Sequence, residues 1–290
     1  MLDIQVADFK KLSEVSFYNF QYPESVKIHS ISTDSRTIEK DNVFWVLSGP
    51  NFDGHDFVEK AFEKKPQFVV IAQSQIKRFE KSGMPFIAVP DTLNALQELA
   101  QNQRKKYDVP VFALTGSNGK TTTKEMIATI LEQKLQVHKT AGNLNNHIGC
   151  PLTLLKMNAN QQAAIIEMGT NHPGEIAALA KITNPTQALV TNIGAAHLEF
   201  FKDKKTVAKE KLSLFDNLPG AGIIYKNMDD PFIAAYKVQS ATEVTFAIEK
   251  KAQVTAQLMG LNSLGQAKFK FNNNTEIQLQ VPGVHNARNA

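Results

Sequence analysis

The 290-residue chain is 42% hydrophobic and 21% charged, an ordinary globular balance at a length that favours two domains over one core. A net charge of +4 suits phosphate-bearing ligands but is too small to argue for nucleic acid, so no nucleic-acid partner is expected. The one cysteine, Cys150, excludes an internal disulfide framework. The N-terminus lacks the core of a signal peptide, and no apolar run reaches the ~18–20 residues of a membrane span, so a cytoplasmic location is expected; a monomer is expected as well.

Residues 26–31, 42–47 and 68–71 read as short strands, followed by 86–89, and 56–65 places Phe57, Val58, Ala61 and Phe62 at helical spacing. This predicts a small α/β domain over 1–88. Residues 91–106 form a predicted helix, with Asp91 as cap, Leu93, Leu96, Leu99 and Ala100 on one face, and basic residues at its end. It is expected within a linker, 89–108, to a second domain over 109–290. That domain alternates strands and helices: strand 111–114, helix 121–135 with Met126, Ile127, Ile130 and Leu131 inward, strand 163–168, helix 173–181 and strand 188–193. Such alternation predicts a mainly parallel sheet wrapped by helices. Beyond Gly222 the chain turns β-rich (222–225, 243–247, 253–258, 267–271, 276–281). Residues 284–290 read as the opening of a helix, so the chain is expected to be a fragment.

Between a buried strand and a helix lies Gly116-Ser117-Asn118-Gly119-Lys120-Thr121-Thr122. Glycines there let backbone N–H groups turn around phosphate oxygens, the helix N-terminus adds positive charge, Lys120 reaches the outer phosphates and the Thr121 hydroxyl ligates Mg²⁺. ATP and Mg²⁺ are therefore the expected ligands. The G-x-x-G-K-T spacing is shorter than the common G-x-x-x-x-G-K-[ST], Leu114 standing where the first glycine would be; the bland alternative is a Gly/Asn turn capping a Thr-rich helix. Glu167 ends an apolar strand, where a carboxylate serves equally as a Mg²⁺ ligand or as a solvated strand end. His197 falls at the same edge. By spacing alone, Lys202, Lys204, Lys205, Lys209 and Lys211 form a solvated basic stretch, and Asn143, Asn145, Asn146 and His147 form either an anion-orienting loop or a polar turn. Ser35 and Arg36 in a hydroxyl-rich loop suit a diphosphate, or a helix cap with a solvated arginine.

The segment TGSNGKTTTKEM resembles the nucleotide loop of the Mur ligases, especially the type that adds D-alanyl-D-alanine. STDSR (32–36), NFDGH (51–55), GNLNNHIGCP (142–151), EMGTNHPGEI (167–176), TNIGAAHLEF (191–200), AKEK (208–211) and HNARNA (285–290) follow in the family's order. The resemblance implies an α/β fold: a small N-terminal UDP-binding domain, then a phosphate-loop central domain with a β-rich end. It also implies an ADP-forming amide ligase. The carboxylate of UDP-MurNAc-tripeptide attacks the γ-phosphate of ATP, and D-alanyl-D-alanine then displaces phosphate from the acyl phosphate. By the same resemblance, Lys120 acts on the γ-phosphate, and Thr121 and Glu167 hold one Mg²⁺. His197 and a carbamylated Lys211 hold a second, with Lys209 as the competing lysine. Asn143 contacts substrate, His285, Asn286 and Asn289 contact adenosine, and Ser35 and Arg36 hold UDP. Family members carry a third, C-terminal domain that closes over ATP; without it, little turnover is expected. The alternatives are another amino-acid-adding Mur ligase, a folylpolyglutamate synthetase (which shares the shorter glycine spacing), and a non-catalytic nucleotide-binding module.

Overall fold

Apolar runs of three to five residues, rich in Val, Ile and Phe, become the short buried strands of the computed structural model, which describes residues 1–195, 200–272 and 274–290. It divides into two units, Met1–Tyr107 with Pro151–Ala159, and Asp108–Cys150 with Asn160–Ala290.

The first unit contains α1 (Val6–Phe9), β1 (Ser16–Tyr18), β2 (Ile31–Ser32), β3 (Val43–Trp45), the hairpin β4 (Ser48–Gly49) and β5 (Phe52–Asp53), α2 (Val58–Phe62), β6 (Phe68–Ala72), α3 (Ile76–Phe79), β7 (Phe86–Val89) and α4 (Thr92–Lys105). Its main sheet runs β1-β7-β6-β3-β2, parallel except for β1 at one edge. Strands β3 and β7 are buried along their whole length, the pattern of a parallel sheet covered on both faces. Phe44, Val46, Val69, Ile71, Phe86 and Ala88 pack with Val58 and Ala61 of α2. Helix α4 begins as its sequence predicts, the Asp91 side chain accepting the Asn94 N–H at 2.7 Å. The strand expected at 26–31 is corrected: only Ile31–Ser32 joins the sheet. Val26 and Ile28 instead bond to the N-terminal segment, Ile28 N–H donating to Ile4 O at 2.9 Å. An apolar run fixes extended backbone, but the partner it pairs with is a tertiary choice.

The second unit contains β8 (Val111–Thr115), α5 (Lys120–Leu131), β9 (Val137–Lys139), the start of α6 (Gly149–Leu154, whose residues from Pro151 on belong to the first unit), β10 (Ala163–Glu167), α7 (Glu175–Thr183), β11 (Gln187–Val190), α8 (Lys204–Asp216), β12 (Ile223–Asn227), α9 (Pro231–Ala234), β13 (Thr242–Ala247), β14 (Val254–Leu261), β15 (Gln266–Phe271), β16 (Glu276–Pro282) and α10 (Val284–Asn289). Among the described residues the sheet order is β16-β15-β14-β13-β12-β11-β8-β10-β9. It is parallel from β9 to β14 and antiparallel through β15 and β16. This is the mainly parallel sheet with a β-rich end that the sequence predicts. Strands β10 and β11 flank β8 on opposite sides, so the winding reverses there. A crevice opens beyond the carboxyl ends of strands at such a point, where α/β folds bind ligands. Among the described residues, no helix is long and apolar enough to cross a membrane.

Two helical expectations are corrected. Helix α5 buries Thr123, Lys124 and Ala128, with Ile127 and Leu131 packed on Leu114 and Ile165. Ile130, expected inward, is 71% exposed. The inner face runs through a lysine, which apolar periodicity cannot register. The stretch 202–211 is not simply a solvated basic run, since α8 buries Val207, Ala208, Glu210 and Lys211 while Lys209 stays exposed.

Candidate functional site

The turn from β8 to α5 is built on two glycines. A Cβ on Gly116 would overlap Thr191 Oγ1. Gly119 has φ +80°, and a Cβ there would overlap the Asn289 side chain. The turn is pinned to the segment after β11. Ser117 N–H donates to Asn192 O at 3.0 Å, and Asn118 N–H to Asn192 Oδ1 at 3.1 Å. Thr191 Oγ1 donates to Asn118 O at 2.7 Å, and Gly194 N–H to Ser117 Oγ at 2.8 Å. Of the amides expected to face phosphate, those of Ser117 and Asn118 are thus engaged with Asn192. The first-turn N–H groups of α5, including those of Lys120, Thr121 and Thr122, lack intrahelical acceptors, as at any helix N-terminus.

Lys120 folds across the turn, its ammonium donating to Gly116 O at 2.9 Å. Burial lowers its pKa, against the pull of Glu167. Glu167, at the carboxyl end of β10, is 1% exposed. Its Oε1 accepts from Thr121 Oγ1 at 3.2 Å and Asn145 Nδ2 at 2.8 Å. Its Oε2 is buried with no hydrogen-bond donor among the described residues; the nearest recorded cation is Lys124 Nζ, 3.9 Å away. A buried carboxylate oxygen without a donor, next to a threonine hydroxyl and a helix N-terminus, fits a hard divalent cation such as Mg²⁺.

Lys211 is 2% exposed. Burial pushes its pKa down to about 8, with Lys120 adding to the shift and Glu210 opposing it. Beside it, the Glu210 carboxylate accepts the Gly174 N–H at 2.6 Å and the Ile176 N–H at 2.8 Å. That ties α8 to the N-terminus of α7, where negative charge is favoured.

The remaining predicted residues are placed unevenly. His197 lies outside the described residues, as does the side chain of His285. Asn289 sits beside Gly119, its carbonyl accepting from Thr123 Oγ1 at 3.0 Å. Asn286 Nδ2 donates to Pro282 O at 2.7 Å. Asn143 is exposed; its neighbour Asn145 is the amide brought to Glu167. In the first unit, Arg36 grips Asp34 at 2.8 Å, holding that carboxyl down to about 2 chiefly through this side-chain hydrogen bond. Lys64 Nζ donates to Ser35 O at 3.2 Å and to Arg36 O at 2.7 Å.

Family models match both units: the Mur ligase middle domain over residues 114–290 and the Mur ligase family catalytic domain over residues 27–104. The chain belongs to the Mur ligase family. A UDP-N-acetylmuramoyl-tripeptide–D-alanyl-D-alanine ligase of Bacillus subtilis (strain 168) is 40% identical over 243 residues, which is 83% of this chain and 52% of that protein. The crystal structure of MurF from Acinetobacter baumannii superposes with a TM-score of 0.89 at 30% identity, covering 99% of this chain and 63% of that one. MurF from Thermotoga maritima in complex with ADP gives a TM-score of 0.79 at 25% identity, covering 90% and 61%. The chain therefore spans about half to under two-thirds of the length of these Mur ligases.

Sequence reasoning passed over four residues that shape this Mur ligase site. Asn145 was visible only as one of several amides in a loop. Thr191 and Asn192 stood in a quoted segment without a role. Lys124 carried a faint signal, a lysine at the helical repeat of Ile127, Ala128 and Leu131, which period analysis assigns to solvent by default.

Proposed function

We propose that this chain carries the nucleotide- and UDP-substrate-binding parts of an ATP-dependent ligase that joins D-alanyl-D-alanine to UDP-MurNAc-tripeptide, giving UDP-MurNAc-pentapeptide, ADP and phosphate. The observation that carries the reading is the buried Glu167 Oε2 without a donor, set beside Thr121 at the mouth of a glycine turn. The names of the Bacillus relative and of the ADP-bound Thermotoga structure support the substrates.

In this reading the α5 N-terminus and Lys120 bind the β- and γ-phosphates. Lys120 shifts from Gly116 O to the γ-phosphate and stabilises charge as the tripeptide carboxylate attacks. The acyl phosphate so formed loses phosphate when the D-alanyl-D-alanine amine attacks its carbonyl carbon. Thr121 and Glu167 would hold one Mg²⁺, and His197 with a carbamylated Lys211 a second; the positive charge they would supply lets two anions meet. The burial of Lys211 and exposure of Lys209 support Lys211 as the modified residue. Asn143 orients substrate, His285, Asn286 and Asn289 face adenosine, and Ser35 and Arg36 hold the UDP diphosphate once Arg36 exchanges Asp34 for phosphate oxygens. Titration calorimetry of the chain with ADP and Mg²⁺ tests the reading: saturable, magnesium-dependent binding is expected, and no heat up to millimolar nucleotide overturns it.

A further inference from the structure

Lys124 is a wholly buried cation with no place in the chemistry above. Its ammonium donates to Thr140 O at 2.7 Å, pairs with Glu125 Oε1 at 3.0 Å and stands 3.9 Å from Glu167 Oε2. Thr140 is itself tied to the same carboxylate residue, its Oγ1 accepting the Glu167 N–H at 2.9 Å. The lysine cannot shift within the interior without leaving Thr140 O and its own buried charge without a partner. It is therefore fixed beside Glu167 Oε2, a buried oxygen with no hydrogen-bond donor among the described residues, too far to hydrogen-bond and near enough to act through charge.

We propose that Lys124 is a positioning residue that sets the divalent-cation affinity of Glu167. It holds the carboxylate in place and opposes a cation that arrives without nucleotide. The ammonium compensates Oε2 in the absence of a metal ion. A divalent cation at that oxygen meets the repulsion of the lysine, and phosphate oxygens are needed to tip the balance. Cation loading is thereby coupled to nucleotide binding. This inference rests on Glu167 being the cation ligand of the proposed function.

The test is a Mn²⁺ titration of the full chain followed by electron paramagnetic resonance, with and without ADP. Lys124→Met and Lys124→Gln remove the charge, and the glutamine keeps an N–H donor for Thr140 O. Both are expected to bind Mn²⁺ without nucleotide about tenfold more tightly than wild type, by the charge repulsion relieved. A folded variant with unchanged or weaker Mn²⁺ affinity overturns the inference while leaving the proposed function standing. If both variants fail to fold, the wild-type chain decides. Mn²⁺ binding strengthened at least about tenfold by ADP supports the coupling, and equal affinity with and without ADP overturns it. A wild-type chain that binds no Mn²⁺ even with ADP overturns both readings.

Discussion

In the first unit Asp53 accepts the His55 N–H at 3.0 Å and the Ser48 hydroxyl at 2.7 Å, and it faces His55 Nδ1. The other ring nitrogen, Nε2, accepts the Ala72 N–H at 3.1 Å, so the ring proton sits on Nδ1 and points at Asp53. Asp53 Oδ1 and both ring nitrogens of the buried His55 thus have partners. In the second unit Glu167 is as deeply buried as His55, yet one of its oxygens has no donor among the described residues, and Lys120 and Lys124 lie close by, with Lys211 close enough to Lys120 to feel its charge. Closed networks stabilise a fold, whereas a buried charge left open costs stability and is retained where a ligand completes it. The contrast separates a structural polar cluster from a binding site without appeal to residue type.

The largest expected effect bears on the turn that holds the open charges together. Gly116→Ala places a methyl group into Thr191 Oγ1, and ADP affinity by calorimetry should fall about 100-fold or more as the α5 N-terminus is displaced. Gly49→Ala in the first unit, whose Cβ would meet nothing within 4 Å, should leave ADP binding unchanged. Next, Glu167→Gln should weaken Mn²⁺ binding in the presence of ADP about 30-fold while the melting temperature changes little, because the isosteric amide can still accept from Thr121 and Asn145. A fall in melting temperature with cation affinity intact would make Glu167 a structural group and erase the contrast.

A smaller effect follows from Lys211, whose folded-state pKa is pushed down to about 8 from an ordinary value of 10.5. Below pH 8 the folded chain carries the full cost of a buried ammonium. Between about pH 8 and 10.5 the unfolded chain holds more protons than the folded one, so stability rises with pH. In bicarbonate-free buffer, Lys211→Met should therefore stabilise the chain by about 2 kcal/mol at pH 7 and flatten that rise. Urea denaturation across the pH range measures both. The smallest effect has the opposite sign and lies in the closed network. Burial alone would raise the pKa of Asp53, but the His55 N–H, the Ser48 hydroxyl and the His55 ring hold it down to about 2. Its contribution is present above about pH 4 and is lost as pH falls toward 2. Since the side chain is 43% exposed, solvent screening limits Asp53→Asn to about 1 kcal/mol or less at neutral pH. Its acid denaturation curve should shift less steeply than that of wild type.

Legibility in the sequence tracked how local the decisive interaction is. Helix α4 matched its prediction within a residue at each end, because its Asp91 cap and apolar stripe act within one or two turns. The turn at 116–119 was equally plain, since glycine placement is a backbone requirement. The 26–31 segment was half wrong because its partners, residues 2–6, lie outside any local window. In α5 and α8 the errors fell on lysines: burial of Lys124 and Lys211 depends on what surrounds them, and periodicity counts every lysine as solvent-facing.

The sequence by itself determined the α/β alternation, the glycine turn before a helix and the carboxylate at a strand end, since each follows from steric limits and side-chain period over a few residues. Only the tertiary structure decided which charges are buried and which remain uncompensated. It drew Asn145 rather than Asn143 to Glu167, put Lys124 beside an oxygen with no donor, and turned Lys211 inward while Lys209 faces water. The physical reason is that desolvation and Coulomb energies depend on everything within several ångströms in space, and decisive neighbours can be distant in sequence: Thr140 lies 16 residues from Lys124 and Thr121 lies 46 residues from Glu167.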